Sequence, residues 1–254
     1  MEKITTSKVQ QSKVQGQKIT MLTAYDYPFA KILDDAGVDI VLIGDSLGNV
    51  ALGYRNTLPV TMPEMVIHTR AASRAVERAM LCADMPFGSF QKDTQEALAN
   101  AIKLVKAGAE AVKIEGVEYL DAISKIIKAG IPVMGHLGFT PQSVHQLGGY
   151  AKQGKTKKSA QKILRDARSL QKVGCFAIVL EMVPDDLARK ITKSLKIPTI
   201  GIGAGPHCDG QVLVTSDLLG LSVWMPSFAK PRANLRKTVS RAVKEWMRAC
   251  SSTG

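Results

Sequence analysis

The sequence predicts an α/β protein: a single (β/α)8 TIM barrel with a short N-terminal extension. Eight short apolar runs, often β-branched, alternate with helix-patterned stretches over about 200 residues, the proportions of one barrel domain. The runs are apolar throughout rather than alternating, as strands of a parallel sheet covered on both faces are. Glycines fall where the helical patterns should stop: Gly37, Gly108, Gly130 and Gly174 suit left-handed caps, and three follow an alanine as an α-to-β turn signal.

Residues 1–17, MEKITTSKVQQSKVQGQ, are polar, contain Glu2 and no Arg, and lack an apolar core. They read as an N-terminal extension rather than a secretory or organellar leader. The barrel domain is expected over 18–254. Its strands are expected at 18–24, 39–44, 80–83, 111–114, 132–135, 176–180, 198–202 and 212–214. Helices are expected at 29–36, 62–78, 94–107, 118–129, 159–173, 185–195 and 234–249. The glycine-rich stretch 201–210 lacks a GxGxxG turn, so it reads as a tight turn after the seventh strand rather than a phosphate loop.

Bulk composition narrows the class. The chain of 254 residues is 45% hydrophobic and 22% charged, which is globular rather than disordered. The net charge of +12 invites a nucleic-acid reading until it is located. Fifteen basic residues against two acidic ones lie in 150–172 and 229–250, leaving the remainder close to neutral. Both segments carry helical apolar spacing, with Ile163, Ala167, Leu170 and Val173 in one and Val239, Val243 and Trp246 in the other. No aromatic residues interleave with the lysines as base-stacking surfaces require. The expectation is solvated helix faces, with an anionic ligand tail as the alternative occupant and no nucleic-acid partner. Cys82, Cys175, Cys208 and Cys250 are dispersed, with no CxxC pair, so neither zinc nor a disulfide framework is indicated. With no apolar run near the length of about 20 residues that spans a bilayer, no membrane partner and a cytoplasmic location are expected.

A barrel of this kind carries function at the C-terminal ends of its strands. There the expected strands turn polar. The second runs into Gly44-Asp45-Ser46, and the third ends in Asp84. The fourth holds Lys113 and Glu115, the fifth ends in His136, and the sixth ends in Glu181 directly after FAIVL. Charges beside apolar runs are costly without partners. Period two puts Lys113 and Glu115 on one face of their strand, with Ile114 opposite. Asp45, Asp84 and Glu115 are oxygen donors of the kind Mg²⁺ takes. Each taken singly could also cap a helix. Lys113 admits three roles: a Schiff-base nucleophile, a fixed cation beside a developing anion, or a salt-bridge partner of Glu115. His136 is either a ligand contact or a core hydrogen-bonding group. His68, His145 and His207 fall in helix or loop and are assigned nothing.

Longer motifs then stand in order: Thr23-Ala24-Tyr25-Asp26, Gly44-Asp45-Ser46-Leu47-Gly48, Leu58-Pro59-Val60-Thr61, Ala83-Asp84-Met85-Pro86-Phe87, VKIEG from Val112, HLGFTPQS from His136, and Gly201-Ile202-Gly203-Ala204-Gly205. With these the chain resembles the ketopantoate hydroxymethyltransferase family over about residues 20–230, departing from the family pattern at Ser227 and His207. The resemblance implies Mg²⁺ and transfer of a hydroxymethyl group from 5,10-methylenetetrahydrofolate to 2-oxoisovalerate, through a Mg-stabilised enolate, in pantothenate synthesis. It implies metal contact by Asp45, Asp84 and Glu115, the last through water. It implies oxo-acid binding by Asp45, Ser46, Asp84 and Lys113, a contact by His136, and Glu181 as proton acceptor. It also implies a large homo-oligomer, typically a decamer. A Schiff-base aldolase using Lys113 and a metal-dependent lyase of the phosphoenolpyruvate-mutase kind share parts of this pattern and remain alternatives.

Overall fold

The structure is a computed structural model and describes residues 2–251. Its centre is a closed barrel of eight strands in chain order, each paired in parallel with the next. The strands are β1 (Ile19–Thr23), β2 (Ile40–Ile43), β3 (Met80–Asp84), β4 (Ala111–Glu115), β5 (Val133–Gly138), β6 (Ala177–Glu181), β7 (Thr199–Ile202) and β8 (Gly210–Leu213). The expected barrel is therefore the observed one, and all eight expected runs are strands.

Strand alternation divides the buried side chains into two sets. Val41, Ile43, Leu81, Ala83, Val112, Ile114, Ile178 and Leu180 face outward and pack with the helices. Ile40, Leu42, Met80, Cys82, Ala111, Met134, Ala177 and Val179 fill the interior. The period of two then decides where the polar ends point. Asp84 continues the Met80–Cys82 parity, Lys113 and Glu115 that of Ala111, His136 that of Met134, and Glu181 that of Ala177 and Val179. All five side chains therefore stand at the inward side of one barrel end.

The opposite end is closed by the N-terminal segment, where helix Thr6–Val14 is capped by the Thr5 side chain. Val9 is buried with Ile19, Met80 and Phe176, and Lys13 reaches the Thr192 carbonyl at 2.9 Å and Asp209 at 2.7 Å. Around the strands run helices Tyr27–Asp35, Met62–Ser73, Thr94–Lys106, Leu120–Lys128, Lys157–Val173 and Asp185–Ser194. The four glycines expected to end helices all have positive φ. One helix is shorter than its periodicity: the pattern over 62–78 stops at Ser73. The buried carboxylate of Asp34 accepts the N–H groups of Glu77, Arg78 and Ala79, which holds that stretch in a non-helical turn leading into β3. Between β7 and β8 there is no helix, only the glycine-rich turn.

The chain forms two compact units, Met1–Val212 and Leu213–Gly254. The second contains helix Leu235–Ser251, none of whose side chains is buried. Among the described residues, no helix is long and apolar enough to cross a membrane.

Candidate active site

The five inward-facing side chains and Asp45 form an arc of short contacts across the ends of β2 to β6. The backbone N–H of Asp45 donates to Asp84 Oδ2 at 3.0 Å. Asp84 Oδ1 lies 3.0 Å from Lys113 Nζ, and Lys113 Nζ lies 3.3 Å from His136 Nδ1. Glu115 Oε1 lies 3.3 Å from the same Nδ1, while His136 Nε2 lies 3.2 Å from Glu181 Oε2. All are buried except Glu181, whose side chain is 16% exposed and so opens toward the mouth.

Each placement follows from local structure. Asp45 and Ser46 lie in the turn just past β2. Gly44 permits that turn: a Cβ there would lie 2.6 Å from Ser46 Oγ and 3.7 Å from Asp84 Oδ2, filling the space the site uses. Ser46 Oγ is 2.8 Å from the Tyr25 hydroxyl, and the Tyr25 carbonyl meets His68 Nδ1 at 2.6 Å. At Met182, directly after Glu181, φ is +47°, an uncommon left-handed setting for a residue with a side chain. It turns the chain sharply where β6 delivers its carboxylate.

Burial and charge set the protonation of the cluster. Burial drives Asp45 well above the usual carboxylate range, and the charges of Asp84 and Glu115 add to it; Lys113 and Gln142 oppose. Burial also raises Asp84, against Lys113 and the Asp45 N–H. Glu115 is lowered, because His136, Lys113 and the Gln142 N–H outweigh the effect of burial. Burial pulls Lys113 down, but Asp84, Glu115 and Asp45 more than offset it, so the ammonium is held charged. Burial and Lys113 push His136 down, and its carboxylates Glu115 and Glu181 carry it up to about 9.

Two oxygens of this cluster, Asp84 Oδ1 and Glu115 Oε1, are buried without a hydrogen bond of good geometry, although cationic groups stand at ion-pair distance. Buried acceptors are normally satisfied. Asp45, Asp84 and Glu115 crowd together, with Lys113 beside Asp84 and His136 beside Glu115, and carboxylate oxygens of this kind are what a hard divalent cation takes. Among the described residues, no three His, Cys, Asp or Glu side chains are gathered closely enough to hold a metal between them. Carboxylate oxygens are the donors Mg²⁺ takes, one or two of them directly with water at its other positions. The donor set therefore fits the ion that the sequence suggested.

Two groups in this region carried no separate role in the sequence reading. Gln142 and Tyr25 lie within the motifs quoted above, but a neutral side chain gives no charge pattern to follow. The available signal was length. Residues 139–156, between β5 and helix Lys157–Val173, hold only a 3-10 turn at Pro141–Ser143 and a one-turn helix at Val144–Leu147; they far exceed the roughly two to six residues usual for such a connection, and long connections carry function. Gln142 is buried and touches both Asp45 and Glu115. Farther along the same segment, Tyr150 stacks its ring 4.9 Å from Phe139, and its phenol is raised by burial and by the charges of Glu181 and Asp45.

A sequence model of a family described as ketopantoate hydroxymethyltransferase matches residues 3–253. The chain is 56% identical over 249 residues to a 3-methyl-2-oxobutanoate hydroxymethyltransferase from Acetivibrio thermocellus, covering 97% of this chain and 88% of that one. It is 53% identical over 246 residues to the enzyme of the same name from Cyanothece sp., covering 96% and 94%. Among solved structures, a putative phosphonomutase from Burkholderia cenocepacia superposes with a TM-score of 0.71 at 14% identity, covering 94% of this chain and 98% of that one. A phosphonopyruvate hydrolase in complex with oxalate and Mg²⁺ superposes with a TM-score of 0.64 at 14% identity, covering 100% and 89%. At such identities these two share the fold alone.

Proposed function

The chain belongs to the ketopantoate hydroxymethyltransferase family, and from that premise we propose that it moves a hydroxymethyl group from 5,10-methylenetetrahydrofolate to C3 of 3-methyl-2-oxobutanoate (2-oxoisovalerate), giving ketopantoate, with Mg²⁺ at the strand-end acids. The observation that carries this reading is the contact arc from Asp45 through Asp84, Lys113 and His136 to Glu181. It supports reading the acids and Lys113 as an oxygen-donor set with a fixed cation, and Glu181 as the carboxylate base across the mouth.

Asp45 and Asp84 are assigned as direct metal contacts and Glu115 as a contact through water. Bound there, Mg²⁺ would supply Lewis acidity to the oxo group and carboxylate of the substrate. The Ser46 hydroxyl, steadied by Tyr25, is placed to bind the oxo acid beside the two aspartates. The Lys113 ammonium supports negative charge developing on the oxo oxygen; held charged in the fold, it is poorly suited to attack a carbonyl as a free amine. Glu181 removes the C3 proton. His136 Nε2, at ion-pair distance of 3.2 Å from its Oε2, would help orient the carboxylate toward the substrate. C3 then attacks the methylene carbon of the folate iminium, whose nitrogen takes up the electron pair; the remaining C–N bond breaks as water supplies the hydroxyl, releasing tetrahydrofolate and ketopantoate. The neighbouring phosphonomutase-like folds share the barrel but not this sequence, so a lyase reaction gains no support from them.

We also propose that the protein is cytoplasmic and works as a homo-oligomer, without membrane or nucleic-acid partners. Cys82, Cys175 and Cys208 are buried thiols rather than disulfides, as in a reducing compartment. Val239, Val243, Trp246 and Met247 form an exposed apolar face on helix Leu235–Ser251, which a second copy would cover. Light scattering after size exclusion gives the mass.

The chemical test is deuterium exchange at C3 of 2-oxoisovalerate in D₂O, followed by ¹H NMR without folate. Wild type with Mg²⁺ is expected to exchange, and Glu181→Gln to lose about 10²-fold or more of that rate while still binding the oxo acid. Exchange at the wild-type rate in Glu181→Gln would overturn the assignment of the base. Full exchange after rigorous chelation would overturn the metal, and a borohydride-trapped adduct on Lys113 would favour the Schiff-base alternative.

A further inference from the structure

Gln142 makes four hydrogen bonds, and together they fix every polar group it can offer toward the site. Its Nε2 donates to Asp45 Oδ2 at 2.8 Å and to the Met85 carbonyl at 2.9 Å. Its Oε1 accepts from Gln91 Nε2 at 3.2 Å. Its backbone N–H donates to Glu115 Oε2 at 3.0 Å. The orientation of the carboxamide is determined, because both partners of Nε2 are acceptors. Gln91 is oriented in turn: its Oε1 accepts the N–H groups of Gly88 and Phe90, so its Nε2 is the end that faces Gln142.

The two acids that Gln142 binds come from different parts of the barrel mouth: Asp45 stands in the turn after β2 and Glu115 ends β4. Gln142 occupies one oxygen of each, Oδ2 of Asp45 and Oε2 of Glu115. That restrains the rotation of both carboxylates and leaves the second oxygen of each outside the Gln142 contacts, that of Glu115 lying 3.3 Å from His136 Nδ1. Glu115 Oε1 is one of the two buried oxygens without a good hydrogen bond. One residue, reaching in from the long segment after β5, thus holds an oxygen of each acid: its carboxamide holds Asp45 Oδ2 and its backbone N–H holds Glu115 Oε2.

We propose that Gln142 is the positioning residue of the divalent-cation site: by holding Asp45 Oδ2 and Glu115 Oε2 from one residue, it aims their remaining oxygens and raises the affinity for the ion. The inference rests on the metal reading of the preceding section and goes beyond it, because Gln142 would not touch the ion. Partners of this kind fix the direct ligands, and their loss lowers metal affinity by about 10- to 100-fold.

The test is Mn²⁺ binding to the full-length protein, measured by electron paramagnetic resonance of the free ion and independent of turnover. Gln142→Met keeps the bulk and removes the side-chain donors. Its dissociation constant is expected to rise by about 10- to 100-fold, while its metal-free Tm predicts none of that change. Gln91→Ala lies farther from the acids at a partly exposed position, and a smaller rise in the same direction is expected. It decides the matter if Gln142→Met does not fold. A lower Tm with wild-type Mn²⁺ affinity would show a purely structural role and overturn the inference alone. Wild-type protein that binds no Mn²⁺, or Asp45→Asn that binds it as tightly as wild type, would overturn the metal reading and this inference with it.

Discussion

His136 Nε2 stands 3.2 Å from Glu181 Oε2, and the other ring nitrogen stands 3.3 Å from Glu115 Oε1. One imidazole thus bridges the acid proposed as base and an acid of the proposed metal site. In the parallel register His136 lies opposite both Glu115 on β4 and Val179 on β6, two residues before Glu181. The ring crosses that offset of two residues to reach the Glu181 carboxylate.

This bridge predicts a titration. Despite burial and the nearby Lys113, the two carboxylates raise His136 to about 9 in the metal-free protein. A histidine raised above its unfolded value of about 6.5 adds stability that is fully present below 6.5 and is lost as pH rises through 9. The Tm advantage of wild type over His136→Gln should therefore shrink between pH 6.5 and 9. An NMR midpoint for the ring at or below 6.5 would show that the carboxylates do not hold the proton.

Adding the cation should reverse this balance. Asp45 is raised chiefly by burial and binds a metal only when ionised, while a cation beside Glu115 repels a proton on His136. Mg²⁺ binding near neutral pH should release protons, and affinity should weaken as pH falls. Calorimetry in buffers of different ionisation enthalpy reads the number released. A value of zero would mean that the ion binds away from these groups.

Lys113 and Asp84 are a buried pair at 3.0 Å, each side chain 5% exposed or less. Removing one member of such a pair costs about 3–5 kcal/mol, because the other is left charged and unpaired. Lys113→Met should lose about that much in urea unfolding at pH 8. The loss should be smaller at pH 5, since Asp84 is already raised by burial and, without the ammonium, takes up a proton more readily. An equal loss at both values would point to packing rather than charge.

The barrel and most of its arc are legible in the sequence for one reason. A strand buried on both faces must be apolar throughout, so a charge at its end is conspicuous: Asp84, Lys113, Glu115 and Glu181 announce themselves against MLCA, AVKI and FAIVL. Gln142 does not, because an uncharged amide in a loop contrasts with nothing around it. The early end of the helix at Ser73 was hidden too. Its cause, the Asp34 carboxylate, sits about forty positions away and competes with the helix through three backbone N–H groups.

Asp34 should therefore be a stability residue remote from the chemistry. Burial tends to raise its carboxyl, but the N–H groups of Ala79, Glu77 and Arg78 lower it below its usual value. An acid lowered in the fold adds stability that is present above the unfolded pKa near 3.9 and is lost as pH falls through the folded value. Asp34→Ala should cost about 3 kcal/mol at pH 7, and its difference from wild type should narrow in acid. C3 exchange by the folded variant should be unchanged, and a loss there would mean that the turn into β3 also positions Asp84.

Gly138 makes the sharpest separation between fold and function. Its φ is +99°, and a Cβ there would overlap the Glu181 carbonyl oxygen, which also accepts the Phe139 N–H at 2.8 Å. Alanine thus carries two penalties: about 1 kcal/mol or more for the left-handed backbone, and a displacement of the β6 end. The second falls on the residue proposed to take the C3 proton, because backbone cannot yield as a flexible side chain can. Gly138→Ala should therefore lose C3 exchange out of proportion to its stability, while Mn²⁺ affinity, set by Asp45, Asp84 and Gln142, stays near wild type. If exchange and Mn²⁺ binding fall together, the glycine serves the whole barrel mouth rather than the placement of Glu181.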